Sequence, residues 1–363
     1  MLLWLAGGAP AAEAHFVRRT ILTSNEGCSI RANIRLQKLV PFAAFACLAG
    51  CISHGHAQRE VESSVAKGGV IDVSSSVRLY YQMVGAGPDT IVAVHGGPTF
   101  GLHDLMPDLD WLGRDHVVIY YDLRGTGRSS LPSDTAQLTM QDHVADLAAL
   151  IAHFHLSRPT LVGHSWGAVV SLIYASGHPR VARLLLLEPM AAHQAPYDAQ
   201  YARQLARRAT PADSATLRAA RSPAYLAAHP IEACRAIQGV FLRLSMGADS
   251  LASHVRADWC AMPPESFTYA MRYTGPVGNA SVAGIDFRDA GVRVTMPVLV
   301  VAGSNDPLPW ESAAEWVRIL PNARLLLIDG AGHYAHAERA DQFQTPAAIF
   351  LEGRWPSTAR AAP

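Results

Sequence analysis

The stretch from Thr160 to Val170 constrains the fold more than any other part of this chain. A short apolar run of the β type ends at Gly163, an Ala- and Val-rich helical pattern resumes after Gly167, and Ser165 lies between the two glycines. This order is typical of a nucleophile elbow, a tight strand–turn–helix corner that holds a serine hydroxyl clear of its neighbours. Glycines suit such a corner because side chains there would obstruct the turn. The pattern predicts Ser165 as a nucleophile.

Strand-like and helical patterns alternate on both sides of this corner, and the segment 140–154 has the periodicity of an amphipathic helix. A hairpin is predicted over 70–73 and 77–83 at an edge of the sheet. The continuous apolar runs typical of buried strands are 90–94, 117–121, 184–187, 297–302 and 324–328. Strands that alternate with helices predict an α/β fold with a doubly wound, mostly parallel sheet.

A change of composition divides the chain. Residues 191–285 are rich in Ala, Arg, Gln, Tyr and Pro, with helical stretches and no strong strand. This segment is predicted to be an inserted helical lid. The flanking parts are predicted to form one core, with its first part at 58–190, its second part at 286–355 and a tail at 356–363. A chain of 363 residues, half of them apolar, is long enough for this arrangement.

Residues 1–57 are predicted to be a targeting segment. Basic residues between positions 31 and 38 precede an uncharged apolar run, which ends in Leu48-Ala49-Gly50-Cys51. These features are typical of a secretory signal, and the ending resembles a bacterial lipobox with Cys51 as the lipidated residue. We therefore expect an exported protein, periplasmic or anchored in the membrane through Cys51. The alternatives are simple cleavage after Ala57, and a cytoplasmic enzyme with a disordered extension.

The charge and cysteine content exclude several classes of function. Basic and acidic residues number 30 each, so no charge excess favours nucleic acid. No Cys/His spacing is typical of zinc, and the Gly-rich loop at 122–129 lacks the glycine and lysine pattern of nucleotide-binding loops. We predict no cofactor and no metal. Cys234 and Cys260 either pair in an oxidising compartment or remain two separate buried thiols.

A serine hydroxyl becomes a good nucleophile when a base takes its proton and an acid fixes the tautomer of that base. In an elbow-type fold the acid and the base follow the serine in that order along the chain. Asp306 follows the run 297–302, and His333 follows the run 324–328, so both lie at strand ends on the same rim as Ser165. We predict Asp306 as the acid and His333 as the base, with Asp329 as the alternative acid.

His164 and His336 are the rival bases nearest to these motifs. His333 is favoured because it lies in a Gly-rich loop at a strand end. The reaction also needs an oxyanion hole, two backbone N–H groups that point at the developing negative charge. The N–H of Trp166, directly after the nucleophile, and that of Gly97, in the loop after the run 90–94, are predicted to form it.

These motifs together resemble those of the α/β-hydrolase superfamily and, within it, the proline iminopeptidase branch of serine aminopeptidases. The resemblance spans about residues 70–352 and rests on His95-Gly96-Gly97-Pro98, the loop 122–129, Gly163-His164-Ser165-Trp166-Gly167, Asp306 and Gly332-His333. It implies an α/β-hydrolase fold and an acyl-enzyme mechanism. The implied activity is release of N-terminal residues from short peptides, with a small-molecule or short-peptide substrate.

The chain departs from that branch at two positions, since Thr99 and His164 stand where the branch usually has glycine. The branch also uses lid carboxylates to hold the free amine of its substrate, and the candidates here are Glu232, Asp258 and Glu265. The alternative activity is that of a carboxylesterase or lactonase on small esters. A hypothesis from another class is a non-catalytic binding protein that retains the fold.

Overall fold

The computed structural model describes residues 67–361, so the predicted targeting segment 1–57, with Cys51, lies outside the described residues. The described part forms an eight-stranded sheet in the order β1-β2-β4-β3-β5-β6-β7-β8. The strands are β1 Lys67–Asp72, β2 Arg78–Val84, β3 Asp89–Val94, β4 His116–Tyr121, β5 Thr160–His164, β6 Arg183–Leu187, β7 Val298–Gly303 and β8 Ala323–Ile328. Strand β2 is antiparallel to β1 and β4, and the other neighbours are parallel, which confirms the mostly parallel sheet.

The helices lie on both faces of this sheet and in the long segment between β6 and β7. They are α1 Met140–His153, α2 Trp166–Gly177, α3 Gln194–Arg208, α4 Pro211–Ala220, α5 Pro223–Ala228, α6 Pro230–Ser245, α7 Pro264–Tyr269, α8 Gly275–Val282, α9 Arg288–Gly291, α10 Trp310–Ile319, α11 Ala335–Glu338 and α12 Ala340–Leu351. Alternate residues of a strand point to opposite faces. Val92 and Val94 of β3 therefore join the core with α1, α2 and α10, while Ile91 and Ala93 join the core with α12. Burial on both faces explains why β3 reads as an unbroken apolar run.

Helices α3–α8 form the insertion between β6 and β7, and most of them share an apolar cluster with Phe100, Tyr334 and Ala337 of the core. The two ends of this insertion meet. His193 forms a β-bridge with Asp286, and the N–H of Phe287 donates to the carbonyl of Ala192 at 2.8 Å. Within the insertion Cys234 and Cys260 form a disulfide, with their Cα atoms 5.7 Å apart. Of the two alternatives for these cysteines, the structure contains the paired one.

The C-terminal end differs from a free tail. Arg360 exchanges two backbone hydrogen bonds with Leu325 of β8, and Ala359 is buried. The described end of the predicted tail 356–363 is therefore attached to the edge of the sheet.

Within residues 67–361 no helix is both long and apolar enough to cross a membrane. The same residues contain no group of His, Cys, Asp and Glu side chains that could hold a metal ion.

Candidate active site

Ser165 occupies the corner between β5 and α2 in a backbone conformation that side chains rarely adopt, with φ 51° and ψ −107°. Its N–H donates to the carbonyl of Leu187 at 2.8 Å, which ties the corner to β6. A Cβ atom on Gly163 would lie 2.4 Å from the carbonyl oxygen of Gly167, and a Cβ on Gly167 would lie 2.1 Å from that of Val94. The flanking glycines are thus required by close backbone contact, as the sequence predicts.

The structure brings Ser165, His333 and Asp306 together. Nε2 of His333 lies 3.2 Å from Oγ of Ser165, and Nδ1 of His333 lies 2.8 Å from Oδ2 of Asp306. The other carboxylate oxygen of Asp306 accepts the N–H of Leu308 at 2.8 Å, which fixes its orientation. Serine, imidazole and carboxylate therefore form a continuous hydrogen-bonded chain, the geometry that activates a serine nucleophile.

The loop that carries His333 is held by a carboxylate that the sequence analysis missed. Glu338, in α11, accepts hydrogen bonds from the N–H groups of Gly332 and Tyr334 on either side of His333. It also accepts the N–H of Gly247 from the insertion at 2.8 Å. Burial raises the pKa of Glu338, and the three amides offset part of this effect. An acidic residue five positions after His333 was the available sequence signal.

The two predicted oxyanion donors lie in suitable local structures. Trp166 is the first residue of α2, where a backbone N–H has no acceptor within its own helix. Gly97 has φ 104°, and a Cβ there would lie 2.6 Å from the N of Thr99, so the turn requires glycine. The positive end of the α2 dipole adds to the attraction for a negative charge at this point.

The rival residues lie elsewhere. Asp329 is exposed, and its Oδ1 accepts the hydroxyl of Ser304 at 3.3 Å rather than a hydrogen bond from His333. His336 is buried in α11 with its Nδ1 3.3 Å from Oε2 of Glu188, and burial lowers the pKa of His336 to about 3. His164 is also buried, and its two ring nitrogens contact Asp104 and the backbone carbonyl of His333.

The structure does not bring the candidate lid carboxylates to the triad. Glu232 and Glu265 are exposed, and Asp258 forms an ion pair with Arg235. The insertion instead presents aromatic rings towards the site. The ring of Phe241 has its centroid 6.4 Å from that of His333.

A family model for the alpha/beta hydrolase fold matches residues 89–340 of this chain. Among curated proteins, the proline iminopeptidase of Xylella fastidiosa is 28% identical over 302 residues, which cover 74% of this chain and 90% of that protein.

Two solved structures show the same fold. A proline iminopeptidase-related protein from Thermus thermophilus has a TM-score of 0.57 at 22% identity, covering 79% of this chain and 97% of its own. An esterase from Exiguobacterium antarcticum has a TM-score of 0.59 at 16% identity, covering 79% of this chain and 100% of its own.

Proposed function

The chain belongs to the α/β-hydrolase family and is a hydrolytic enzyme, and we propose that it works through an acyl-enzyme formed at Ser165. The observation that carries this proposal is the hydrogen-bonded chain from Ser165 through His333 to Asp306. No metal or organic cofactor has a part in this mechanism.

The site residues have separate roles in the proposed reaction. His333 takes the proton of Ser165 as the hydroxyl attacks the carbonyl carbon of the substrate, and Asp306 keeps Nδ1 of His333 protonated and the ring oriented. The negative charge on the carbonyl oxygen is stabilised by the N–H groups of Gly97 and Trp166. His333 then donates its proton to the leaving group. Water, activated by the same imidazole, releases the acyl group and restores Ser165.

We propose release of N-terminal residues from short peptides as the activity. Support comes from relatives named proline iminopeptidase in Xylella fastidiosa and Lactobacillus helveticus, whose aligned regions cover 90% of their own length. The helical insertion between β6 and β7 suits short substrates, because it packs against Phe100 and Tyr334, close to the Gly96–Gly97 loop and to His333.

A second candidate is hydrolysis of small esters or lactones. The observation that favours it is the position of the lid carboxylates, since Glu232 and Glu265 are exposed and Asp258 is paired with Arg235. An ester substrate needs no carboxylate to hold a free amine, so apolar surroundings such as the Phe241 ring beside His333 are sufficient for it.

The test compares two substrates and one probe on the purified full chain. Turnover of proline β-naphthylamide is expected for the aminopeptidase, and turnover of p-nitrophenyl acetate alone would support the esterase instead. A fluorophosphonate probe is expected to label the wild type, and Ser165→Ala is expected to abolish both labelling and turnover. A wild type that neither labels nor hydrolyses either substrate would contradict the acyl-enzyme.

A further inference from the structure

A buried ion pair adjoins the nucleophile and has no role in the mechanism above. His164 directly precedes Ser165, and its Nδ1 lies 2.8 Å from Oδ2 of Asp104, with the two side chains 1% and 0% exposed. Burial of two ionised groups costs free energy that their mutual attraction repays only when further hydrogen bonds satisfy them. The partners of this pair therefore indicate what it holds in place.

His164 connects the corner of the nucleophile to the loop of the base. Its Nε2 lies 3.0 Å from the backbone carbonyl oxygen of His333. A carbonyl and an ionised carboxylate can only accept hydrogen bonds, so both ring nitrogens of His164 donate and the ring is positively charged. Burial lowers the pKa of His164, but the Asp104 carboxylate, together with Glu188 and the His333 carbonyl, outweighs burial and raises the pKa to about 9.

Asp104 connects this ring to three other segments. Its Oδ2 accepts the N–H of Gly96, next to the oxyanion donor Gly97, at 2.7 Å. Its Oδ1 accepts the hydroxyl of Tyr334 at 2.6 Å and the indole N–H of Trp259, in the insertion, at 3.0 Å. Both carboxylate oxygens thus accept two donors each, and the donors come from four segments that surround the site.

We propose that Asp104 and His164 are positioning residues, which hold the Gly96–Gly97 loop and the backbone of His333 in register with Ser165. This inference rests on the proposed function, because it assigns a purpose to that site. An oxyanion donor acts only on the charge that develops in the transition state. Loss of the pair should therefore lower kcat and leave KM almost unchanged.

The principal test is Asp104→Asn, measured with p-nitrophenyl acetate on the full chain. The amide has the shape of the carboxylate, but its NH₂ group confronts two donors where an oxygen accepted both. We expect kcat to fall by about 10- to 100-fold, near the loss of one oxyanion donor, with KM within about twofold of wild type. A kcat equal to wild type in the folded variant would overturn the proposal.

Asp213→Asn is the matched control. Asp213 is also a buried acid with a cationic partner, Arg243, and it caps α4 through Thr210. The substitution is expected to lower the unfolding temperature and leave kcat unchanged. An equal loss of kcat in both variants would show that the effect of Asp104→Asn is only structural, which would overturn the proposal.

Two milder substitutions decide the matter if Asp104→Asn does not fold. In His164→Asn the amide nitrogen can reach the place of Nδ1 and keep the bond to Asp104, whereas in His164→Gln it can reach the place of Nε2 and keep the bond to the His333 carbonyl. Each is expected to lower kcat about 10-fold with KM unchanged, again scaled to part of an oxyanion donor. Wild-type kcat in both variants would overturn the proposal.

Rates are expressed per site labelled by the fluorophosphonate probe, so that misfolded protein does not count. Where the double variant Asp104→Asn/His164→Gln folds, it should lose little more kcat than the worse single variant, because the two residues act as one unit. A loss of kcat in the double variant equal to the product of the two single losses would show that the residues act independently, which would contradict the pairing. A wild type that is not labelled and not active would instead refute the proposed function.

Discussion

Asp306 and Asp329 show how local surroundings separate two carboxylates at neighbouring strand ends. The side chain of Asp306 is buried, contacts His333 and is oriented by the N–H of Leu308. Asp329 is exposed, its Oδ1 accepts the hydroxyl of Ser304, and its backbone N–H donates to the side-chain oxygen of Gln342. Both residues are aspartates that lie between Ser165 and His333 in the chain, and only their three-dimensional contacts distinguish them.

Replacement of Asp306 and of Asp329 should affect the reaction very differently. Asp306→Asn is expected to lower kcat by about 10⁴-fold, because the amide no longer holds His333 in the tautomer that accepts the serine proton. Asp329→Asn, the matched control, is expected to retain wild-type kcat. Steady-state kinetics on whichever substrate the wild type accepts provide the measurement. A large loss of kcat in Asp329→Asn, together with wild-type kcat in Asp306→Asn, would show that Asp329 and not Asp306 is the acid that orients His333.

The sequence predicts Ser165, Asp306 and His333 as site residues because motif spacing and strand ends are local features. It does not predict Asp104, since that carboxylate depends on contacts with Trp259 and Tyr334, which lie 155 and 230 positions away. Glu338 is missed for a related reason, as most of its partners are backbone amides and leave no mark in side-chain patterns.

At the scale of one element, α2 contains two glycines with opposite requirements. Gly167 lies at its start, where a Cβ would contact the Val94 and His95 carbonyl oxygens at 2.1 and 2.5 Å. Gly177 lies at its end, where a Cβ would have no neighbour within 4 Å. Glycine is therefore required by close packing at the start of the helix, whereas at the end of the helix it only lowers helix propensity.

The matched pair Gly167→Ala and Gly177→Ala tests this difference. Gly167→Ala is expected to destabilise the protein by several kcal/mol or prevent folding, since backbone must move to admit the methyl group. Gly177→Ala is expected to be neutral or stabilising by up to about 1 kcal/mol. Denaturant unfolding provides both values. Equal stabilities for the two variants would contradict the close packing of the corner.

The elements of the core are predicted more closely than those of the insertion. The helix predicted at 140–154 is α1, which Thr139 caps through a capping box with Asp142. The insertion is predicted only as helical, without bounds for its six helices, although four of them begin at a proline. How such helices pack is decided by their apolar cluster and not by local sequence signals.

At the scale of the whole molecule, the insertion is stabilised by the Cys234–Cys260 disulfide, which joins α6 to the segment before α7 across 26 residues. Cys260 adjoins Trp259, whose ring stacks on Phe100 at 3.7 Å and whose N–H reaches Asp104. The disulfide therefore holds a part of the insertion that contacts the core beside the Gly96–Gly97 loop.

Removal of this bond is the prediction for the whole molecule. The variant Cys234→Ser/Cys260→Ser is expected to lose about 3 kcal/mol of stability, because the unfolded chain regains the freedom of the closed loop. A reducing agent should lower the unfolding temperature of the wild type towards that of the variant and leave the variant unchanged. A wild type whose unfolding temperature does not respond to reductant would contradict the paired state.

The meeting of the two ends of the insertion has a consequence for how such enzymes diversify. His193 and Asp286 pair directly, so the chain leaves the core and returns to it at adjacent positions. A compact segment of another length that keeps its two ends paired in this way can replace the insertion without a shift in the register of the strands. Substrate choice can therefore change by exchange of this segment, provided that the new segment also replaces the hydrogen bonds of Trp259 to Asp104 and of Gly247 to Glu338.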